Sequence, residues 1–455
     1  MNGQVRVECC QSYEPDRLKL ALAPFGPLFD RHLSPGQTVA LKPNWLAPHH
    51  RYDVNEWQSV ITHPNVITAV LTEVAQRIRG SGKIVLADAP QSDSSFKALS
   101  QHFDVETWQR VAAAHQVELQ IIDLRDHEFE VRDGITLDRR ELPGDPLGSV
   151  EFNLGKDSEF GTHSPSERGY YGADYDTSET TEGHSNGDHR YRISRSIVAA
   201  DVFINLPKWK THKKAGLTCS LKNLVGINTY KNFLPHHNQG TPAMGGDQFP
   251  DSGIRSSLET ILLERFKKAL AHGERYGAAW IPIKQVGKWI FGDTRNQIRN
   301  GSWYGNETIW RMILDLNKLL LYGNPDGSLR EPLSSARKPY LSIVDGIIAG
   351  EGSGPEAPTP RKAGLIFGGA DPVAVDCAAA RLMNFDWTRI PSLHHAFDPR
   401  TYPLTPLRYP QIELESQSIQ SARGPLDLLK SEAILAFTPH FGWQGHIELE
   451  NLDAA

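Results

Sequence analysis

The sequence predicts an α/β protein: a mostly parallel sheet flanked by helices, with insertions and a partly helical, Trp-rich subdomain. Two stretches carry that expectation. Between residues 38 and 87 a short apolar run (38–41, TVAL) is followed by a helical repeat of Ile67, Val70, Leu71, Val74 and Ile78. A second apolar run (83–87, KIVLA) comes next, which completes the strand–helix–strand signature of a parallel sheet. The other stretch is 201–226. It opens as a buried strand (Val202, Phe203, Ile204) and breaks at Pro207. It then presents Lys208, Lys210, His212, Lys213, Lys214 and Lys222 with Asp201 as its only acid. Cations at the end of a strand stand where an open α/β sheet receives an anionic ligand. The whole chain carries a net charge of -6, so this concentration of positive charge is local.

A chain of 455 residues exceeds the usual single-core size and accommodates one large unit with insertions or more than one domain. Its 38 glycines and 30 prolines describe many turns and long loops rather than helical repeats. The N-terminus, MNGQVRVECC, does not read as a secretory signal, and no run of roughly 18 apolar residues marks a membrane span. Cys9, Cys10, Cys219 and Cys377 make neither a disulfide framework nor a CxxC motif, so cytoplasm is the expected compartment. The mild acidity argues against nucleic-acid binding.

In chain order, 1–154 is an N-terminal α/β part. Leu18, Leu20, Leu22 and Phe25 mark a short helix before 38–41, and 38–41 runs into Lys42-Pro43-Asn44, where proline ends the ladder. The strand 83–87 ends at Asp88, a helix follows around 96–115, and a strand is expected at 118–124. Residues 155–190 form a polar insertion or lid whose histidines (His163, His184, His189) lack metal-ligand spacing and read as solvated. Residues 191–245 hold the Lys/His motif, with a helix starting near Leu221 and a paired His236-His237 read as turn residues. Residues 246–335 form a helical insertion, with a helix over 253–272, Trp280, Trp289 and Trp303, and a strong helix over 307–322. Residues 336–395 return to α/β. A strand at 340–344 ends in Asp345-Gly346, a flexible loop spans 350–355 (GEGSGP), and a strand covers 365–367. A helix then starts with Asp371 as its cap and Pro372 in its first turn. The extension 396–455 is proline-rich and strand-like around 433–438.

The standard signatures are absent. GEGSGP is followed by no Lys-Ser/Thr and opens no helix, and no GxGxxG or HExxH occurs. What remains is a two-sided rim. Its cations are Lys42, Lys208, Lys210, His212 and Lys222. Its acids are Asp88, Asp345, Glu351, Asp371 and Asp376, each at a strand end or in the loop and helix start after it. Lysines there hold carboxylate or phosphate, and carboxylates beside them act as bases or hold a divalent ion. Each residue also has a plainer reading: a solvated lysine, a capping Asp371, an Asp376 that simply favours the helix dipole.

The succession Asp201-Val-Phe-Ile-Asn-Leu-Pro207-Lys208-Trp-Lys210-Thr-His212, then Ser220-Leu-Lys222-Asn223-Leu-Val-Gly226, resembles the hallmark of domain of unknown function (DUF) 362. Lys42-Pro43-Asn44, Asp88-Ala-Pro90, Val344-Asp345-Gly346, Glu351-Gly-Ser-Gly354-Pro355 and Asp371-Pro372 with Asp376 agree, so the resemblance spans roughly 38–390. Members of that family often carry a ferredoxin-like cysteine module; this chain has none, and no iron–sulfur cluster is expected.

The expected function is an enzyme acting on a small anionic metabolite, a carboxylate or a phosphorylated compound, by proton-transfer or isomerase-type chemistry. Lys208, Lys210, His212, Asp345 and Glu351 are the catalytic candidates. Lys42, Asn44, Asp88, Lys222, Asn223, Gly352 and Gly354 are the substrate-binding candidates, and Asp376 and Asp371 are the residues for a divalent metal. Metal-assisted chemistry on a phosphorylated substrate and a non-catalytic anion-binding or accessory protein are the alternatives.

Overall fold

An 11-stranded sheet runs through the protein. Its strands are β1 (Gln4–Cys9), β2 (Thr38–Pro43), β3 (Lys83–Asp88), β4 (Glu118–Asp123), β5 (Val202–Leu206), β6 (Lys208–His212), β7 (Gly216–Thr218), β8 (Tyr340–Ser353), β9 (Ala357–Gly369), β10 (Glu413–Glu415) and β11 (Gly424–Pro425). They lie in the order β11-β10-β1-β9-β8-β5-β2-β3-β4, with β6 paired to β7 and β8. The computed structural model describes residues 3–449 except 134, 254–255, 263–264, 266–296 and 334–336.

The run β4-β3-β2-β5-β8 is parallel throughout. From β3 to β8 both its faces are buried, as expected when helices cover the sheet on each side. Val39, Leu41, Ile84, Leu86, Val202 and Ile204 enter one core, with helices α1 (Pro15–Leu22), α2 (Pro64–Ile78) and α3 (Val105–Ala114). Ala40, Val85, Ala87 and Phe203 enter the other, with α4 (Ser220–Asn223), α5 (Ile309–Tyr322) and α6 (Pro372–Leu382). The chain steps outward from β2 to β3 to β4, then returns to place β5 and β8 on the opposite side of β2. The sheet therefore reverses its winding between β2 and β5.

Proline shapes the edge of that crevice. β2 and β5 end level, with Asn205 opposite Lys42 and Leu206 opposite Pro43. Pro207 has no N–H for the ladder, but its carbonyl accepts from Asp345 N (2.9 Å), and β6 resumes pairing with β8 beyond it.

Several expectations are corrected. The 350–355 segment is not a loop: β8 runs through it to Ser353 and pairs antiparallel with β9, so the turn lies at 354–356. The helix read over 96–115 is broken into Phe96–Leu99 and α3 by a 3-10 turn at Ser100–His102. No strand forms at 433–438; Ser431–Ala433 is a 3-10 turn, and the tail instead contributes β10, which pairs parallel with β1. His184 and His189 are buried rather than solvated, close to Phe160 and Tyr170. Their insertion is fastened by Asp315 of α5, which accepts from Glu159 N (2.8 Å) and Tyr191 Oη (3.0 Å). Most of the helix expected at 253–272, with Trp280 and Trp289, lies outside the described residues, whereas Trp303 Nε1 donates to the carbonyl of Asp247 (2.8 Å).

Candidate functional site

The ends of β2, β3, β5 and β8 converge where the winding reverses, the place at which open α/β sheets take ligands. Three arrangements meet there: a sealed ion pair, a polar floor and a cationic cleft.

The sealed pair is Lys208–Asp345. Lys208 Nζ donates to Asp345 Oδ2 (2.6 Å), Tyr13 Oη (3.1 Å) and the Ile348 carbonyl (3.1 Å), so all its protons are engaged. Tyr13 Oη donates to Asp345 Oδ1 (3.0 Å), and His63 N donates to Oδ2 (2.9 Å). Both charged side chains are 0% exposed. Burial draws Lys208 below the usual lysine range, against the pull of Asp345. Tyr13 stacks on His63 with ring centroids 3.7 Å apart. Every group in this network is satisfied, which makes it an anchor between β6, β8 and the N-terminal segment.

The floor begins with Lys42 and Asp88, paired at 2.8 Å and almost wholly buried. Lys42 Nζ also donates to the Pro43 carbonyl (2.9 Å), and Asp88 Oδ2 accepts from Trp45 N (2.7 Å). Gly226 passes directly above: a Cβ there would stand 1.8 Å from Asp88 Oδ1 and 2.7 Å from Lys42 Nζ, so only glycine fits. Beside it, Asn223 Nδ2 donates to Asn205 Oδ1 (2.7 Å), and Asn44 Nδ2 donates to Asn223 Oδ1 (3.0 Å). This amide chain ties α4 to β2 and β5.

The cleft holds the groups that these pairs leave open. Lys210 Nζ is buried and meets only neutral oxygens, the Val60 carbonyl (2.5 Å) and Asn44 Oδ1 (3.4 Å). Burial, with Lys208 and Lys222 nearby, holds it well below the usual lysine range. His212 Nδ1 accepts from two backbone amides, Lys214 N (3.0 Å) and Ala215 N (3.1 Å). An acceptor at Nδ1 places the ring proton on Nε2. His236 is the mirror case, because its Nδ1 faces the Leu234 carbonyl (2.7 Å), must donate, and leaves a lone pair on Nε2. Burial and the surrounding lysines hold both rings well below the usual histidine range, hence neutral. Lys222, half-buried on α4, has no hydrogen-bond or ion-pair partner among the described residues. Burial and Lys42 lower it to about 8. Lys231 Nζ reaches only the Ala89 carbonyl (2.8 Å), and burial lowers it to about 7.

Residues 167–381 match the family model described as "Domain of unknown function (DUF362)". The chain carries a DUF362 domain. Over 441 residues it is 22% identical to a thylakoid-associated protein of Synechocystis, covering 95% of this chain and 92% of that one. Two solved structures align at 10% identity: a structural-genomics protein from Thermotoga maritima (TM-score 0.28, 76% of this chain) and the lactate racemase apoprotein of Thermoanaerobacterium thermosaccharolyticum (TM-score 0.27, 74% of this chain). The alignments span 53% and 50% of those two chains, about half of each.

The DUF362 segment supplies Lys208, Lys210, His212, Lys222, Asp345 and the histidine at 236, but the site is completed from outside it by Tyr13, Lys42, Asn44 and Asp88. The remaining acidic candidates of the segment are engaged elsewhere. Glu351 Oε2 accepts from Arg361 (3.0 Å) and Thr438 N (3.0 Å) on the hairpin. Asp371 Oδ1 caps α6 through Val373 N and Ala374 N (both 3.0 Å). Asp376 accepts from Ser220 N (2.6 Å) and Leu221 N (3.0 Å) and so holds the start of α4. Among the described residues, no three His, Cys, Asp or Glu side chains gather as metal ligands. Gly352 and Gly354 let the hairpin lie against β6: the Gly352 carbonyl accepts from Thr211 Oγ1 (3.0 Å) and the Gly354 carbonyl from Lys213 N (2.9 Å).

The acid that closes the cleft is Glu356, at the hairpin turn. It binds Arg51, Lys213 (3.4 Å) and Gln91 Nε2 (3.2 Å). Burial alone would raise it, but Lys213 and Arg51 prevail and hold it at about 2. Sequence reasoning passed over Glu356, Tyr13, His63 and Lys231, and took His236 for a turn residue. Only Glu356, directly after the GSGP segment, carried a local signal.

Proposed function

We propose that the protein is an enzyme that binds a small anionic metabolite in the cleft around Lys222 and moves a proton on it. The observation that supports this reading is a half-buried ammonium without a partner among the described residues, near two neutral imidazoles in opposite tautomers. A cation left open in that setting is completed by an anionic ligand. His212 offers an N–H at Nε2, suited to polarising a carbonyl, and His236 offers a basic nitrogen, the pair of roles that proton abstraction beside a carbonyl needs. Lys210, deprived of a carboxylate, is a second candidate base. Asn223, tied to Asn44 and Asn205, holds α4 and its Lys222 at the strand ends.

The test is solvent exchange. Incubation in deuterated water with carboxylate and phosphorylated metabolites, followed by mass spectrometry, is expected to show deuterium entering a C–H bond of one of them. That exchange should be lost in His212→Ala and in Lys210→Met. Exchange that persists in both variants sinks the assignment, and tight binding without exchange makes the protein an anion-binding one.

A further inference from the structure

We propose that Thr218 is a substrate-contacting residue of this cleft, its hydroxyl donating together with His212 Nε2–H to one carbonyl oxygen of the anionic ligand. The inference rests on the proposed function for the location of the site, and it names a further residue and a second functional group of the ligand.

Register brings the side chains together. β6 and β7 pair antiparallel, with Lys210 opposite Thr218 and His212 opposite Gly216. Residues two apart on a strand share a face, and so do residues directly opposite across a ladder. Lys210, His212 and Thr218 therefore stand on one face of the hairpin. Lys210 is the direct neighbour of Thr218, and His212 is its diagonal one, about 7–8 Å away and within reach of a long side chain. Only Cys219 separates Thr218 from α4, the helix that carries Lys222.

An unmet hydroxyl singles Thr218 out. The residue is 3% exposed, and its Oγ1 has no hydrogen-bond partner among the described residues. A buried hydroxyl without a partner costs about 1–3 kcal/mol, and such groups are rare in folded proteins. Val60 covers this face, its carbonyl taking a proton of Lys210 (2.5 Å), and Arg51 of the same segment is held by Glu356 at the hairpin turn. A ligand that displaces this cover brings the missing acceptor.

The donors define that acceptor. Two backbone amides occupy His212 Nδ1, so the ring proton is on Nε2. An uncharged O–H and an uncharged N–H suit the two lone pairs of one carbonyl oxygen, and the charge of the ligand is left to Lys222. When the C–H bond beside the carbonyl breaks, its proton passes to the base and its electron pair moves onto that oxygen as an enolate. Two donors already aimed at the oxygen stabilise the charge as it develops.

Valine keeps the β-branching of threonine and removes the hydroxyl. Thr218→Val is expected to leave Tm unchanged or to raise it, because no bond is lost and a buried polar group is removed. A Tm lowered by several degrees would mean that an enclosed water satisfies the hydroxyl in the free protein, and overturns the proposal. Calorimetry of the full chain then compares pyruvate with propionate, which has the same carbon skeleton without the carbonyl. The wild type is expected to bind pyruvate about tenfold more tightly, a difference of about 1.4 kcal/mol. Thr218→Val should remove most of that preference and leave propionate affinity unchanged, whereas Thr218→Ser should keep it. No preference in the wild type, absence of binding included, or a preference that survives Thr218→Val overturns the proposal. The two readings fail separately. If deuterium exchange is lost in His212→Ala while exchange and pyruvate preference are indifferent to Thr218→Val, the enzyme assignment stands and the role of Thr218 falls. If the preference depends on Thr218 but exchange survives His212→Ala and Lys210→Met, the reverse holds.

Discussion

Lys208 and Lys222 come from the same cationic run, yet their surroundings give them opposite roles. Lys208 is fully enclosed, with each proton directed at an oxygen, while the half-buried Lys222 has no hydrogen-bond or ion-pair partner among the described residues. Removing one member of a buried pair strands the other charge, which costs about 3–5 kcal/mol. Lys208→Met is therefore expected to lower stability in urea by that amount, and Lys208→Met/Asp345→Leu to recover much of it. A double variant as unstable as the single one would show that Asp345 is not what Lys208 supports. The distinction between the two lysines was not legible in the sequence. A run such as PKWKTHKKAG announces cations at a strand end, but which of them is enclosed depends on Tyr13 and Ile348, and residue 13 is far away in the chain.

At the scale of elements, the short α4 shows how a candidate metal ligand becomes a support. Asp376, inside α6, reaches across to two amides at the start of α4, and so fixes the helix that carries Lys222 and Asn223. Loss of such a cap costs about 0.5–2 kcal/mol. Asp376→Ala is expected to reduce stability in that range and to lower the deuterium exchange of the proposed reaction, although Asp376 makes no hydrogen bond to Lys210, His212 or Lys222. Undiminished exchange would mean that α4 holds its place without the cap. The strands β2, β3 and β5 and the helices α2 and α6 were readable because their apolar patterns are strong and local. The hairpin β8–β9 was misread because its glycines, which signal turns in isolation, serve here to let two backbones approach β6. β1 was missed because a half-buried six-residue strand next to a chain end has little to distinguish it until its partners are known.

Across the whole molecule, buried histidines dominate the response to acid. His63, His163, His184 and His440 are held at about 4 by burial, and His189, His212 and His236 are lowered as well. A folded value below the unfolded value of about 6.5 means that the unfolded chain binds more protons between the two. The stability these rings contribute is thus fully present above about pH 6.5 and is lost as the pH falls toward 4. Asp247 and Asp376, raised by burial to about 6, act in the opposite sense, but they are outnumbered. Scanning calorimetry is expected to show Tm falling steadily from about pH 7 to 5, with proton uptake on unfolding. A Tm that rises over that interval would contradict this balance. The sheet topology has another consequence, one of timing. Among the described residues, β1 pairs with β9 and β10 alone. A chain leaving the ribosome therefore holds its first strand without a partner until residues 357–369 emerge, and completes its other side only with 413–415. Pairings so distant in sequence close slowly, and an unmatched strand is prone to wrong contacts while it waits. Of the eleven described strands of this sheet, the first to be synthesised is among the last to be secured.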